Sequence, residues 1–215
     1  MSSSPTYTSK AAATRTRILE TAAFLFWRRS YHAVAMDELA DKTRVNKATI
    51  YRYFPDKASL ALAVAKLNGS QVQSGVFDPI FEQYSGAEDR LAAVYRCMHT
   101  KLATLHREEG DLFGCPIAGL ALELGREMPG VRTESAAIFD AIQARFLDIA
   151  LDAIDSGKVT GWSAEALSRT LLQILHGAFV STRLAAHPEP FLDAANASLT
   201  LIGSKQRLTS PSGEE

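Results

Sequence analysis

Apolar residues recur with the period of an α-helix along nearly the whole chain. Ile18, Ala22, Leu25 and Phe26 stand at i, i+4, i+7 and i+8, which places them on one face of a first helix. No stretch alternates apolar and polar residues as a half-buried strand does, and we find no internal repeat. The pattern therefore predicts an all-α fold.

Capping residues and helix breakers divide this pattern into about nine helices. Asn46 precedes the segment KATIYRY and can cap it, because its side-chain oxygen can accept a free backbone N–H of the first turn. Pro55 interrupts the chain, and Asp56 can cap the next helix. The polar tail Ser204–Glu215 is predicted to fray. Five later helices are predicted at residues 87–108, 116–127, 131–156, 163–186 and 189–202.

Charge is distributed unevenly along a chain whose net charge is only −1. Residues 1–66 contain eleven basic and five acidic side chains, whereas residues 67–215 carry a net charge of −7. A basic segment of this kind favours contact with a polyanion such as nucleic acid, joined to an acidic body with another role. We therefore predict two domains, residues 1–66 and residues 67–215; chance clustering of charge is the alternative.

The segment 37–57 has the pattern of a helix-turn-helix. Two short helices flank a tight turn at residues 43–45, and the second of them, residues 46–53, would enter the major groove of DNA. Val45 and Ile50 are predicted to point inward and to hold the short helices against the first one. An ordinary helical hairpin with a solvated charged face is the alternative.

The outward side chains of this unit suit contacts to a duplex. Lys47 can neutralise a phosphate or reach a guanine edge, Arg52 offers a bidentate fork for guanine, and Thr49 can meet a base through its hydroxyl or methyl group. Tyrosine hydroxyls can bond to phosphate oxygens, and a lysine near the start of the fourth helix adds positive charge there. The predicted DNA-contacting residues are Arg44, Asn46, Lys47, Ala48, Thr49, Tyr51, Arg52, Tyr53 and Lys57.

Residues 14–64 resemble the DNA-binding domain of the TetR family of bacterial transcriptional regulators. The matching elements are TRTRIL at Thr14–Leu19, DELA at Asp37–Ala40 and VNKATIYRYFPDK at Val45–Lys57. The resemblance implies a homodimer whose helical C-terminal domain binds a small-molecule inducer and thereby changes affinity for a DNA operator. It also implies a dimer interface built by the last two long helices. The two cysteines and the lack of an apolar signal-peptide core at the start of the sequence predict a cytoplasmic location, where the chain is expected to act as a nucleoid-associated repressor.

Three positions depart from the family pattern. Members usually have a Ser or Thr just before the second helix, where residues 34–36 supply no hydroxyl. The turn usually contains Gly in a left-handed conformation; Arg44 would carry strain there, although its charge could reach the phosphate backbone. The residue after Lys47 is often Gly and is Ala48 here.

The run GCPIAGLALE at Gly114–Glu123 is similar to a G-C-x-x-x-x-L-x-x-E segment in a subgroup of these regulators, some of which respond to reactive or small organic compounds. Pro116 suits the first position of a helix, so Cys115 stands beside the N-cap, where the helix dipole favours a thiolate. Cys115 is therefore a candidate reactive or ligand-contacting thiol; packing as a small apolar residue is the alternative.

Helical spacing predicts further pocket residues in the C-terminal domain. His99 and His106 are seven residues apart on one face, and they could line a cavity between helices with nearby aromatic and apolar side chains. Core packing is the alternative for each of these residues. The spacing of the histidines does not suit a metal, and no cofactor is predicted. The candidate ligand-binding residues are Cys115, Met98, His99, Leu102, Phe113, Phe146 and His176.

Two C-terminal helices, near 163–186 and 189–202, are more apolar than surface helices should be. Their apolar residues form faces that one subunit would leave uncovered, and such faces usually mark an interface. We predict that these helices pair with their copies across a twofold axis; burial within one subunit is the alternative. The residues concerned are Leu171, Leu172, Leu175, Ala178, Phe179, Leu184, Phe191, Leu192, Ala195, Leu199 and Ile202.

The sequence as a whole favours a ligand-responsive DNA-binding regulator and not an enzyme. A helical enzyme or thiol switch is the alternative class; against it, the sequence has no set of nucleophile, base and orienting residue, no phosphate-binding glycine loop and no metal pattern. The predicted partners are operator DNA, a small-molecule inducer and a second copy of the chain. A membrane is excluded as a partner, because no apolar run reaches the roughly 18 residues of a spanning helix.

Overall fold

The computed structural model of the chain describes residues 6–210, and within that range every regular element is helical. The predicted all-α class is confirmed. A π-helical segment, Gln73–Phe77, follows the fourth helix, and the short fifth helix was not predicted. The helices are α1 (Thr6–Arg29), α2 (Met36–Thr43), α3 (Lys47–Tyr53), α4 (Lys57–Val72), α5 (Asp78–Gln83), α6 (Ala87–Glu109), α7 (Pro116–Leu124), α8 (Pro129–Asp155), α9 (Ala164–Ala185) and α10 (Glu189–Leu201).

Helices α1 to α4 share one apolar core. Ile18, Leu39, Ile50 and Leu60, one residue from each helix, are completely buried. Burying a side chain of this size stabilises a fold by about 1.5–3 kcal/mol. The two short helices α2 and α3 therefore owe their position to tertiary packing, since isolated helices of seven or eight residues are marginal in water.

Helix α7 and the start of α8 belong to the same core. Leu120, Leu124 and Val131 are buried against the apolar residues of the first four helices. The first compact unit thus contains the residues up to Ser70 together with Pro116–Ala136. This division differs from the predicted one at residue 66, because an apolar stripe on a helix specifies a buried face but not the helix that covers it.

The second compact unit contains Gln71–Cys115 and the chain from Ala137 onward. Helix α10 packs on both α6 and α9. Tyr95 lies in this core with its hydroxyl 2.8 Å from the Ser198 hydroxyl and its ring edge-on to Phe191. Burial raises the pKa of Tyr95 to about 12, so this phenol stays neutral across the physiological range.

Most of the apolar residues predicted to form uncovered faces on α9 and α10 are buried within this one unit. Leu171, Leu175, Phe191 and Leu199 are at most 2% exposed; α9 and α10 pack on each other, and α10 also packs on α6. The expectation that a single subunit leaves these faces open is therefore wrong for most of them. Leu184 is the clear exception, with 83% of its surface exposed.

The segment after α10 is docked rather than frayed as far as residue 208. The Asn196 side chain accepts a hydrogen bond from the backbone N–H of Leu208 at 2.8 Å and donates one to its carbonyl at 3.0 Å. Ser204 donates a hydrogen bond to Glu88, and Leu208 is buried. The prediction of fraying is wrong for residues 204–208, and residues 211–215 lie outside the described part of the chain.

Candidate nucleic-acid interface

The starts of α2 and α3 are stabilised differently. The Asn46 side chain accepts a hydrogen bond from the backbone N–H of Thr49 at 2.8 Å, which confirms it as the N-cap of α3. Ala35, the N-cap of α2, makes no side-chain hydrogen bond, as predicted. An N-cap bond contributes about 1 kcal/mol. Helix α2 has instead two acidic residues in its first turn, Asp37 and Glu38, which interact favourably with the helix dipole.

Arg44 ends α2 in the left-handed conformation, with φ 53° and ψ 38°. Its N–H donates to the Asp41 carbonyl at 3.2 Å, and the next N–H, of Val45, donates to the Ala40 carbonyl at 3.1 Å. A residue with a Cβ carries about 1–2 kcal/mol of strain in this conformation. The left-handed conformation is therefore present at Arg44, and its strain is the cost of the tight turn that sets the direction of α3.

Helix α3 has one buried side and one open side. Ile50 is completely buried and Val45 is 9% exposed, which confirms that both point inward. The side chains of Lys47, Ala48, Tyr51 and Arg52 are exposed, Thr49 and Tyr53 are half-buried, and the Arg52 guanidinium lies 5.3 Å from the centre of the Tyr53 ring. The open side of α3 therefore presents a small residue, a phenol and two cations on a rigid scaffold.

Lys47 is not alone on this surface. Its ammonium lies 2.9 Å and 3.0 Å from the two carboxylate oxygens of Asp37, on the first turn of α2. The hydrogen bond to Asp37 raises the pKa of Lys47 above its ordinary value. This pair is not predictable from the sequence, because the two residues meet only through the angle between the two helices.

Lys57 is held by the protein itself. Its ammonium donates a hydrogen bond to the Tyr31 carbonyl at 2.6 Å and lies 4.2 Å from the centre of the Tyr31 ring. Partial burial lowers the pKa of Lys57, and the carboxylate of Glu123 opposes that shift. Lys57 was predicted to contact DNA; the structure gives its charge a role in fixing the connection between α1 and α2.

Glu123 of α7 holds the same connection from the other side. Its carboxylate oxygens accept hydrogen bonds from the backbone N–H groups of Tyr31 and His32, each at 3.0 Å. Two charged side chains, Lys57 and Glu123, thus bind one carbonyl and two N–H groups of a single turn. Glu123 was not among the predicted site residues, although it is the last residue of the run GCPIAGLALE.

Comparison with protein families gives two matches that together span more than half of the chain. The model of bacterial regulatory proteins of the tetR family matches residues 18–64, which include α2 and α3. The model of the C-terminal domain of LmrA/YxaF-like transcriptional regulators matches residues 91–197. The chain belongs to the TetR family. Members of this family are DNA-binding transcription factors, so this TetR-family protein is a regulator and not an enzyme.

Two curated relatives share part of this TetR-family sequence. The HTH-type transcriptional activator FasR of Mycolicibacterium smegmatis is 40% identical over 62 residues, which are 29% of this chain and 28% of FasR. An uncharacterized HTH-type transcriptional regulator from the lacX 3′ region of Lactococcus lactis is 21% identical over 139 residues, 63% of this chain and 67% of that protein. The match to FasR therefore covers little more than a quarter of that protein's length.

Solved structures support the same fold over nearly the whole chain. A TetR transcriptional regulator from Chloroflexus aurantiacus has a TM-score of 0.75 and 23% identity, and the match covers 94% of this chain and all of that one. The regulatory protein TetR from Rhodobacter sphaeroides has a TM-score of 0.77 and 19% identity, over 86% of this chain and 97% of that one. At these identities the likeness concerns the fold alone.

The candidate ligand-binding residues of this TetR-family protein occupy several places in the second unit. Neutral histidine is favoured at His99 and His176, because burial lowers the pKa of both. His99 is 5% exposed and lies near His187. The ring centres of His187 and His106 are 5.7 Å apart. The ring of His176 instead packs edge-on against the ring of Phe139 on α8, with 4.8 Å between the ring centres.

The apolar candidates are core residues in the structure. Phe146 is completely buried and packs edge-on against Phe77 at 6.2 Å. Met98, Leu102 and Phe113 are each at most 7% exposed. Cys115 is half-buried.

Across residues 6–210, no group of three His, Cys, Asp or Glu side chains could hold a metal ion. Within the same residues, none of the helices combines the length and the apolar character that a membrane span requires.

Proposed function

We propose that this TetR-family chain binds a palindromic DNA operator, with α3 of each subunit in the major groove. The observation that supports this proposal is the solvent-exposed side of α3. Its exposed residues Lys47, Tyr51 and Arg52 stand on a short helix fixed by the Asn46 cap and by the buried Ile50. Lys47 at the start of the helix and Arg52 in its last turn both suit the acceptor edges of guanine, and the phenol suits a phosphate oxygen.

The proposed operator complex needs two copies of the chain. An exposed strip runs along α9 through Gly177, Val180, Ser181 and Leu184, which stand at helical spacing on one face. Val180 and Leu184 are 59% and 83% exposed, and Gly177 allows the close approach of another helix. We infer that this strip pairs with its copy across a twofold axis. The pairing would set the two α3 helices about 34–36 Å apart, or a multiple of that distance.

The second unit is proposed to bind a small organic or reactive compound that releases the DNA. Support comes from buried polar atoms without a hydrogen-bond partner: Nε2 of His99, Nδ1 of His106, Nε2 of His176 and Oγ1 of Thr182. Each such atom lowers the free energy of unfolding by about 1–3 kcal/mol unless it finds a hydrogen-bond partner. A ligand with hydrogen-bonding groups could supply the partners, and Cys115 is the candidate reactive or ligand-contacting thiol.

We propose that the chain acts as a repressor in the bacterial cytoplasm, at the nucleoid. The curated relative FasR is named an activator, but its similarity is confined to 62 residues. That segment corresponds in length to a DNA-binding domain and carries no argument on the sign of regulation. Once the operator has been selected from a random duplex pool, a reporter gene placed behind it distinguishes the two roles: a repressor lowers expression of the reporter, and an activator raises it.

Affinity for duplex DNA as a function of salt tests the proposed function. A regulator that neutralises several phosphates loses affinity steeply, with a log–log slope of about −0.9 per phosphate, and retains a preference for certain sequences. Tyr51→Phe is expected to weaken binding similarly on all sequences, because a phosphate contact carries no sequence information. A wild-type protein that binds no duplex, or binds every duplex equally well, would overturn the proposal.

A further inference from the structure

The first turn of α2 places acidic side chains among the cations of the proposed DNA-binding surface. Asp37 binds the Lys47 ammonium through both carboxylate oxygens, at 2.9 Å and 3.0 Å. The adjacent Glu38 pairs with Arg29 at the end of α1, at 2.5 Å. The Asp37 side chain is 74% exposed, so a solvent-accessible carboxylate lies beside Lys47, the first residue of the recognition helix.

This pairing bears on a choice that the sequence leaves open, namely whether Lys47 meets a phosphate or a base. A lysine that exchanges Asp37 for a phosphate leaves an uncompensated carboxylate next to the DNA backbone, where like charges repel. A lysine ammonium has three N–H donors. Two of them can stay on Asp37 while the third donates to a neutral acceptor on the edge of guanine, and the carboxylate then stays compensated.

We propose that Asp37 is a positioning residue that makes Lys47 a reader of a base rather than a phosphate contact. The position of Lys47 favours this role, because residues at the start of a recognition helix face base edges. An exposed ion pair contributes about 0–1 kcal/mol to folding, so the pair with Lys47 adds little to the stability that Asp37 already provides through the dipole of α2. The inference rests on the proposed binding of α3 to DNA, and it assigns one base contact within it.

The decisive variant is Asp37→Asn. An unpaired Lys47 can bind a phosphate on any duplex, so we expect a random-sequence duplex to bind the variant more tightly than the wild type. The log–log slope of affinity against salt should steepen by about 0.9, the increment for one further phosphate. Sequences selected from a random pool should lose preference at one base pair in each half-site, because Lys47 is no longer held towards a base.

Two controls separate this role from a general change in charge. Asp41→Asn removes the same charge from an exposed position one turn later on α2, and it is expected to leave the slope and the preference as in the wild type. In a Lys47→Ala background, Asp37→Asn should have no further effect on the slope. Thermal unfolding of each variant verifies that the chain is folded, and Asp37→Ala is a second variant with the same expected slope.

The inference and the proposed function fail on different results. A wild-type protein without duplex binding overturns the proposed function. In a wild-type protein that binds DNA, an unchanged slope in Asp37→Asn and Asp37→Ala overturns the inference alone. An equal change in Asp41→Asn, or a steeper slope with an unaltered base preference, also overturns it.

Discussion

The carboxylate of Glu123 accepts a hydrogen bond from the backbone N–H of Tyr31, 92 residues earlier in the chain, at 3.0 Å. Its second oxygen accepts the N–H of His32. The turn between α1 and α2 is thereby held by α7, the helix that begins directly after Cys115. The run that looked like a ligand-binding motif in the sequence thus ends on a residue that fixes the DNA-binding unit.

We expect Glu123→Gln to lower the free energy of unfolding by about 1–2 kcal/mol, because the neutral amide keeps one acceptor oxygen and loses a charge-assisted bond. Glu123→Ala should cost more, since both N–H groups then lose their partner. Urea denaturation measures both effects. The matched control is Glu127→Gln, whose side chain is 62% exposed and should change stability little. Equal stability of the wild type and Glu123→Ala would contradict the role of Glu123.

Replacing Arg44 by glycine should change stability and DNA binding in opposite directions. Glycine adopts φ 53° without strain, so we expect Arg44→Gly to stabilise the fold by about 0.5–1 kcal/mol after its own entropy cost. Loss of the exposed cation should weaken binding to every duplex and reduce the salt slope by about 0.9. Ala186→Gly, at φ 51° in the second unit, is the control for stability alone. Unaltered DNA affinity in Arg44→Gly would remove Arg44 from the interface.

The cap of α3 should matter for both folding and DNA binding. Asn46→Ala removes the acceptor for the Thr49 N–H, and we expect a loss of about 1 kcal/mol in unfolding free energy with weaker binding to duplex DNA. Asn46→Ser keeps a capping oxygen and should retain most of the stability. If both variants lose DNA affinity while only the alanine variant loses stability, Asn46 contacts DNA directly as well.

Stability should fall in mild acid because of buried histidine. Burial and the neighbouring His187 lower the pKa of His99 below its ordinary value of 6.5, so the unfolded state binds more protons than the folded state between the two values. The stabilising contribution of neutral His99 is complete above pH 6.5 and decreases as the pH falls through that window. Urea midpoints at several pH values should show a weaker pH dependence in His99→Gln than in the wild type. The exposed His32, changed to Gln, is the control.

The proposed dimer depends on the exposed strip of α9. Leu184→Glu or Val180→Glu places a charge in an apolar contact, and we expect the sedimentation coefficient to shift from dimer to monomer at micromolar concentration. Leu151→Glu, at a residue of α8 that is 44% exposed, should leave the dimer intact. A wild-type chain that sediments as a monomer would contradict the pairing, and so would a Leu184→Glu variant that remains a dimer.

The sequence predicted those parts of the molecule that depend on neighbours along the chain. The Asn46 cap, the missing cap at Ala35 and the positive φ of Arg44 are properties of single turns, and the structure confirms each of them. Contacts between distant segments could not be predicted in this way. The hydrogen bond from Lys57 to the Tyr31 carbonyl and the packing of α7 against the N-terminal helices are contacts of this kind. Helical periodicity identifies which face of a helix is buried, but it does not identify the segment that covers that face.

If the open side of α3 reads a DNA sequence, selection from a random duplex pool should recover that sequence and reveal which side chain reads each base pair. The wild type and Arg52→Ala are each incubated with the pool, and the bound sequences are determined. We expect a palindromic site for the wild type and the same site with relaxed preference at one base pair per half-site for the variant. An Arg52→Ala selection identical to that of the wild type, or no enriched site for the wild type, would contradict it.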